Sequence, residues 1–354
     1  IYYYIIMLFK NSILNKVLAV SSVMAMIVNP TNAAPTRGMR AKSLEMESRD
    51  VPDVANVKDE ISSLIGDASS LNADDLLAKF IAQSSAPTHD SVHGCDEAKD
   101  DTDLRMLIDN ASDGDTILLC PGKVTFSNEI VLTKSITIIC AGSNGACILD
   151  GNESTRHFAS TTGGKTFAFI DLTFINGLAN DGSTNNGPFG GSLNLLGGST
   201  IILTGCVFYN NRITSSGFAV GGAIFAEDAD AVIKNCLFLD NVAVTTTEIF
   251  DAQGGAISCG GSKLKVIGSI FKKNKALSTV FGAGGAIGAF DSDVRVLSSV
   301  FELNEASNVG GAASFVFASV DWFNNKDLLF GNDAGEDCDG VAVGFNPPAC
   351  SGVG

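Results

Sequence analysis

The sequence predicts an all-β fold, a parallel β-helix solenoid with a short N-terminal capping helix, and three observations carry that expectation. A Gly-Gly-small-apolar motif stands at Gly221-Gly222-Ala223-Ile224, Gly254-Gly255-Ala256-Ile257 and Gly284-Gly285-Ala286-Ile287, with degenerate copies at Gly190-Gly191-Ser192-Leu193 and Gly310-Gly311-Ala312-Ala313. A Phe-x-x-Asn motif stands at Phe208/Asn211, Phe238/Asn241, Phe271/Asn274 and Phe301/Asn304. The two are locked together: Phe238, Phe271 and Phe301 each follow the first glycine of their unit by 17 residues, and from Phe208 to Phe301 the Phe recurs every 30 to 33 residues. A fixed period of this size marks stacked supersecondary units that bury a continuous core between them.

Each unit contains recognisable strands. Seven and five residues before each Phe stand Ile201/Leu203, Ala231/Ile233, Leu264/Val266 and Val294/Val296. This period-two alternation is that of a strand with one buried face. Val207, Leu237, Ile270 or Val300 directly precedes the Phe and belongs to a second short strand beyond a turn. Stacking these units places the Phe side chains in one interior ladder and the Asn amides in another, able to bond from coil to coil. The doubled glycine supplies backbone conformations closed to larger residues.

The N-terminal end agrees. Leu104, Leu107, Ile108 and Ala111 fall at helical spacing, so Thr102 to Ala111 reads as an amphipathic helix with Thr102 or Asp101 as its cap. Strand-like runs follow at Thr116 to Cys120, Ile136 to Cys140 and Cys147 to Asp150, and Phe167 to Phe174 opens the next coil. One β-helix domain is expected over residues 95–354.

Composition narrows the function. The 354 residues carry 38 Gly, 22 Phe and a formal net charge of −16. An acidic chain without a basic block lacks the clustered cations that nucleic acid requires. The run from Lys10 and Lys16 through the apolar Val17 to Val28 to Ala33 reads as a signal peptide over residues 1–33, too short in its apolar part for a membrane span. The expected product is secreted or held at the cell surface, with no membrane span in the mature chain. Residues 34–94 are acidic and almost free of Gly. Apolar residues at helical spacing occur there over Val54 to Ile65 and Asp74 to Ile81, and the segment is a pro-segment or a linker. Nine cysteines suit an oxidising compartment. Cys140 with Cys147, Cys338 with Cys350 and Cys95 with Cys120 are the candidate disulfides. Cys206 and Cys236 share one position, two before the Phe, and read as a buried thiol ladder or a strained bond. Asn110 and Asn152 begin glycosylation sequons.

The segments Asp113-Gly114-Asp115-Thr116-Ile117 through Pro121-Gly122, Ile130-Val131-Leu132, Lys134-Ser135-Ile136-Thr137-Ile138 and Ile148-Leu149-Asp150-Gly151 resemble the opening coils of right-handed parallel β-helix proteins of the pectate-lyase-like superfamily. The coils from Gly190 to Ala313 resemble the repeats of chlamydial-type polymorphic outer-membrane proteins. The resemblance implies a right-handed β-helix. It implies no single activity, because such scaffolds carry lyases, hydrolases, epimerases and adhesins.

Candidate chemistry gathers just after the Gly-Gly motifs. Glu227, Asp228 and Asp230 share a turn, with Asp291 and Asp293 in the matching turn two coils on and Gly261 and Lys263 between. Lys265 and Arg295 stand six residues before their Phe on adjacent coils. For a lyase, Lys265 or Arg295 would neutralise a uronate and one of Asp230, Asp291 and Asp293 would assist proton transfer. Calcium is the one cofactor to weigh, at Glu227, Asp228 and Asp230. The alternative use of all these charges is a solvated solenoid face. The Asn-Thr-Asp, Gly-His-Gly and Asp-Pro-His-Glu signatures of known polysaccharide-acting β-helices do not occur, and His89, His93 and His157 read as surface histidines. The reading favoured is a secreted non-catalytic β-helix that presents an extended surface to an extracellular polysaccharide or surface protein, for adhesion or cell-wall or matrix association. The alternative is a polysaccharide lyase, or a hydrolase, acting on an acidic polysaccharide. A regular ice-binding face is disfavoured by the mixed outward residues Ile202, Val232, Lys265 and Arg295.

Overall fold

The computed structural model describes residues 94–142, 146–182, 187–323, 329–330, 332–334, 341–343 and 349–350. The expected signal peptide, the acidic segment before residue 94 with His89 and His93, and the Cys338–Cys350 pairing lie outside them. Among the described residues the chain is a parallel β-solenoid, and no helix there is long and apolar enough to cross a membrane.

One coil shows how the sequence builds the rest. Thr200–Thr204 runs in the first sheet, turns at Gly205 into Val207–Tyr209 of the second, and turns at Asn210 into Arg212–Ser215 of the third. After a short excursion with Ala219–Val220, the doubled glycine leads into Ile224–Glu227 of a further sheet, which we call the returning sheet. Asp228 then turns the chain into Asp230–Lys234, one step along the first sheet. Among the described residues the first and second sheets have eight strands each and the returning sheet nine. Among the described strands every pairing is parallel except that of Val341–Val343 with Ala349–Cys350.

Each corner repeats a left-handed residue. Asp171, Gly205, Asn235, Gly268 and Ser298 hold φ between 48 and 64° at the first corner, and Asn176, Asn210, Asp240, Lys273 and Leu303 between 53 and 56° at the second. These columns admit side chains because they point outward. From Gly190 onward the corner before the returning sheet is glycine, at Gly190, Gly221, Gly254, Gly284 and Gly310: a Cβ on Gly254 would lie 2.0 Å from the Ile257 carbonyl oxygen. The second glycine has a different reason. A Cβ on Gly255 would lie 2.1 Å from the carbonyl oxygen of Gly285, one coil on. The doubled glycine therefore meets two separate requirements, a turn and a close approach.

The interior ladders are present as the spacing requires. Phe208, Phe238, Phe271 and Phe301 stack with centroids 4.8–4.9 Å apart and planes within 3° of parallel, and Phe174 extends the stack at 4.7 Å. The amide nitrogens of Asn211, Asn241 and Asn274 donate to the Oδ1 of the next Asn at 2.9–3.0 Å, and Asn304 passes the chain to Asn332 at 2.9 Å. Each Oδ1 from Asn241 onward also accepts the backbone N–H of the preceding Asn, and each Nδ2 donates to a Phe or equivalent carbonyl one coil back. All four bonding positions of the amide are used in a dry interior, where an unmet one is costly.

Disulfides join Cys95 to Cys120 and Cys140 to Cys147, with Cα atoms 5.0 and 5.6 Å apart. Cys206, Cys236 and Cys259 are buried free thiols. Cys206 and Cys236 are thus a thiol ladder and not a bond. The same column continues as Ser269 and Ser299, whose hydroxyls accept the backbone N–H of Cys236 and Ser269 at 3.2 Å. Burial, and the hydrogen bond to Cys206, push the Cys236 thiol well up, while burial raises Cys259 to about 12. Neither is a thiolate nucleophile at neutral pH.

The helix α1, Asp101–Asn110, begins one residue earlier than its apolar spacing suggested. Its cap is Asp100, whose carboxylate accepts the N–H of Thr102 and of Asp103 at 2.9 and 3.0 Å, in place of Thr102 or Asp101. Leu104 and Ile108 enter the core beside Ile117 and Phe126. Asp96 and Asp100 bridge Leu119 and Thr125, so the chain enters alongside the first coil.

Candidate functional site

The first sheet offers a long regular surface of eight strands among the described residues. Its central outward column reads Thr116, Thr137, Ala168, Ile202, Val232, Lys265, Arg295 and Asp321, fixed by the strand registers. At about 4.8 Å per strand the column is roughly 34 Å long. Thr and aliphatic side chains occupy its first five positions and charges its last three. Ile202, Val232, Lys265 and Arg295 are all half-buried by their neighbours, so the face is neither loose nor covered.

Lys265 and Arg295 stand side by side, as their spacing required, with Asp321 next. The carboxylates expected to act with them lie elsewhere on the same face. Asp230, Lys263 and Asp293 form the neighbouring edge column, where Asp230 accepts the Lys263 backbone N–H at 3.2 Å and lies 3.9 Å from its ammonium. Asp228 and Asp291 occupy the left-handed corner, with φ of 49° each. Glu227 belongs to the returning sheet, half-buried between Leu196 and Gly260. Burial raises its pKa and the adjacent Asp228 adds to the rise. The sequence neighbours Glu227, Asp228 and Asp230 are therefore split between a sheet, a corner and the next sheet. Among the described residues, no group of three or more His, Cys, Asp or Glu side chains is disposed to hold a metal ion.

The histidine that read as a surface residue is buried. Phe158 pairs with Leu193, and Leu193 with Ile224, so His157 takes the interior place of Ser192 and Ala223, and Arg156 the place of the second glycine. The His157 ring is fully enclosed, with Phe126 and Phe174 edge-on at 5.0 and 5.5 Å. Its Nε2 lies 2.9 Å from the Leu149 carbonyl oxygen, which can only accept, so Nε2 carries the hydrogen and Nδ1 accepts from the Ser192 hydroxyl at 3.0 Å. Desolvation lowers its pKa to about 4, so the ring is neutral. Arg156 is buried beside Glu129, Nε to Oε2 3.2 Å, and donates to the Gly187 carbonyl at 3.0 Å. Nearby, burial pushes Asp150 up, but the Lys123 ammonium, the Asn152 N–H and the Asn176 amide more than offset it and hold the carboxyl below its usual range. This node fills the interior of an early coil and ties it to its neighbours. The missed signal was register: counting back from Leu193 through the paired strand places His157 on the interior column.

No family model matches the sequence, and no curated protein is similar to it. Among solved structures the chain is similar to a family PL6 alginate lyase, at 10% identity and a TM-score of 0.30. The likeness covers 72% of this chain and 41% of the lyase, so the chain spans well under half of that protein's length.

Proposed function

We propose that this chain is a secreted, non-catalytic binding solenoid that presents the outer face of its first sheet to an extended extracellular partner, a cell-wall or matrix polymer. The observation that carries the reading is the outward column itself. It repeats one contact per coil over about 34 Å, a geometry suited to a polymer lying along the solenoid axis. The ionisable groups on the face support binding over catalysis. Lys265 and Arg295 lie in one column and Asp230 in another, where it is engaged with Lys263. A lyase needs a cation and a base converging on one sugar ring.

The experiment measures retention of the full chain on immobilised neutral and acidic polysaccharides, with each soluble polymer also assayed for unsaturated product. Retention that falls in Ile202→Glu and in the Lys265→Glu, Arg295→Glu double variant, with melting unchanged, is the expected result. Unsaturated product that disappears in a Lys265→Ala, Arg295→Ala variant would replace this reading with the lyase. Equal retention of all variants would place the binding face elsewhere.

A further inference from the structure

The sequon Asn152-Glu153-Ser154 is used neither by the ladders nor by the proposed binding face. Hydrogen bonds between coils show where it stands. Asp150 pairs with Ile175, and the Gly151 N–H donates to the Ile175 carbonyl as the Asn176 N–H donates to Tyr209 and the Asn210 N–H to Leu239. Gly151 therefore holds the second-corner place. The Leu178 N–H donates to the Thr155 carbonyl as the Arg212 N–H donates to Gly177 and the Val242 N–H to Asn211, so Thr155 holds the place after it. Later coils pass directly from one place to the other, as Asn176 to Gly177 and Asn210 to Asn211. Residues 152, 153 and 154 are an insertion without counterpart in those coils, and the insertion coincides with the sequon.

All three residues are exposed. Asn152 and Glu153 hold left-handed φ of 53 and 51°. The turn closes on itself: the Asn152 N–H donates to Asp150 Oδ1 at 2.8 Å, and the Ser154 hydroxyl donates to the Gly151 carbonyl at 3.1 Å. The other amides of this corner are engaged, Asn176 donating to Asp150 at 3.1 Å and Asn210 to Asn176 at 2.8 Å. Among the described residues the Asn152 side-chain amide has no hydrogen-bond partner. The second sequon, Asn110-Ala111-Ser112, is built into the fold instead. Asn110 ends α1, Ala111 packs against the core, and the Asp115 carboxylate accepts the Ser112 N–H at 2.6 Å.

We propose that Asn152 carries an N-linked glycan. The assignment rests on the secretion proposed above, because donor and transferase meet a chain only in the secretory lumen. The Asn152 Nδ2 loses a proton and bonds the anomeric carbon of an oligosaccharide held on a polyprenyl diphosphate. The bond from that carbon to the diphosphate oxygen breaks, and the lipid diphosphate leaves with the electron pair. The sequon supplies the acceptor amide and the hydroxyl two residues on. Transfer precedes folding, so the fold's part is to accommodate the product. A glycan on a ladder Asn would break bonds between coils, whereas one on the insertion displaces nothing. It also leaves the first sheet open. Cys147–Asp150 of the second sheet precedes the insertion and Phe158–Ser160 of the returning sheet follows it, so the glycan clothes the second corner of an early coil while the proposed binding face stays bare.

The test expresses the full chain in cultured eukaryotic cells and treats the protein from the medium with peptide N-glycosidase in heavy-oxygen water. Peptides containing positions 110 and 152 are then weighed separately. An aspartate bearing one heavy oxygen at position 152 is expected on most secreted chains. Asn152→Gln and Ser154→Ala should each abolish that label and remove the mass of one glycan from the intact protein, while Ser154→Thr keeps both. Where a variant is not secreted, the label on the parent decides alone. Secreted chain with an unmodified Asn152, or with the label only at Asn110, would overturn the proposal and leave the secretion reading standing. Chain held in the cytosol would overturn that reading, and the glycan with it.

Discussion

Asn241→Ala tests the fold where its forces are most concentrated. The side chain makes four buried hydrogen bonds: Nδ2 to the Phe208 carbonyl and to Asn274 Oδ1 at 3.0 and 2.9 Å, and Oδ1 from the backbone and side-chain nitrogens of Asn211 at 3.0 Å each. Alanine leaves the Asn211 N–H, one Asn211 amide hydrogen and the Phe208 carbonyl without this partner. Asn274 Oδ1 keeps the backbone N–H of residue 241 at 3.1 Å. An orphaned buried group costs about 1–3 kcal/mol, and partial relaxation trims the sum, so the loss should be about 3–5 kcal/mol. At 2–4 °C per kcal/mol for a domain of this size, the melting midpoint should fall by roughly 6–20 °C. The control is Thr214→Ala, which removes an exposed hydroxyl bonded to Arg212 Nε and should change stability by less than about 0.5 kcal/mol. Circular dichroism melts and urea titrations measure both. An Asn241→Ala protein as stable as Thr214→Ala would refute the claim that the amide ladder holds the coils together.

Gly255→Ala should prevent folding or cost more than about 3 kcal/mol, since its Cβ would overlap the Gly285 carbonyl, whereas Gly261→Asp should melt within about 1 kcal/mol of the parent because Asp228 and Asp291 already occupy that corner. His157 titrates near 4 in the folded chain and near 6.5 unfolded, so the unfolded state binds the extra proton. Stability from this group is complete above pH 6.5 and falls by about 3 kcal/mol as pH drops to 4. His157→Phe should flatten that slope in urea titrations. Cys206, Cys236 and Cys259 should resist alkylation in the native protein and react on unfolding. Cys236→Ser should melt near the parent, because Ser269 and Ser299 hold the same column.

The ladders were legible because one rule repeats through them: a Phe, and three residues later an Asn, at a constant distance from a doubled glycine. Position within the period was enough to fix which strand stacks on which. His157 and Arg156 were not legible in the same way, since the early coil replaces Gly-Gly-Ala with Thr155-Arg156-His157 and carries no motif to count from. Lys265 and Arg295 were correctly placed together, because equal offsets from Phe271 and Phe301 become neighbouring positions in a parallel ladder. The acidic trio shows the opposite case. Glu227, Asp228 and Asp230 are close in sequence, but a corner separates them in space. The shift at Glu227 needs the burial supplied by adjacent coils, which no local spacing encodes.

The third corner column has a consequence for how such a chain can change length. The variation between 30 and 33 residues falls in the excursion after the Asn, whose small apolar cluster of Ile213, Ala219, Ala243, Ala252 and Ala276 is separate from the main core. The doubled glycine then resets the path, so an insertion there is absorbed before the chain rejoins the stack. Each coil is in effect punctuated: errors of length do not propagate downstream. Adding or removing one whole unit would lengthen or shorten the outer face of the first sheet by one strand spacing, with the doubled glycine of the next unit restoring the path.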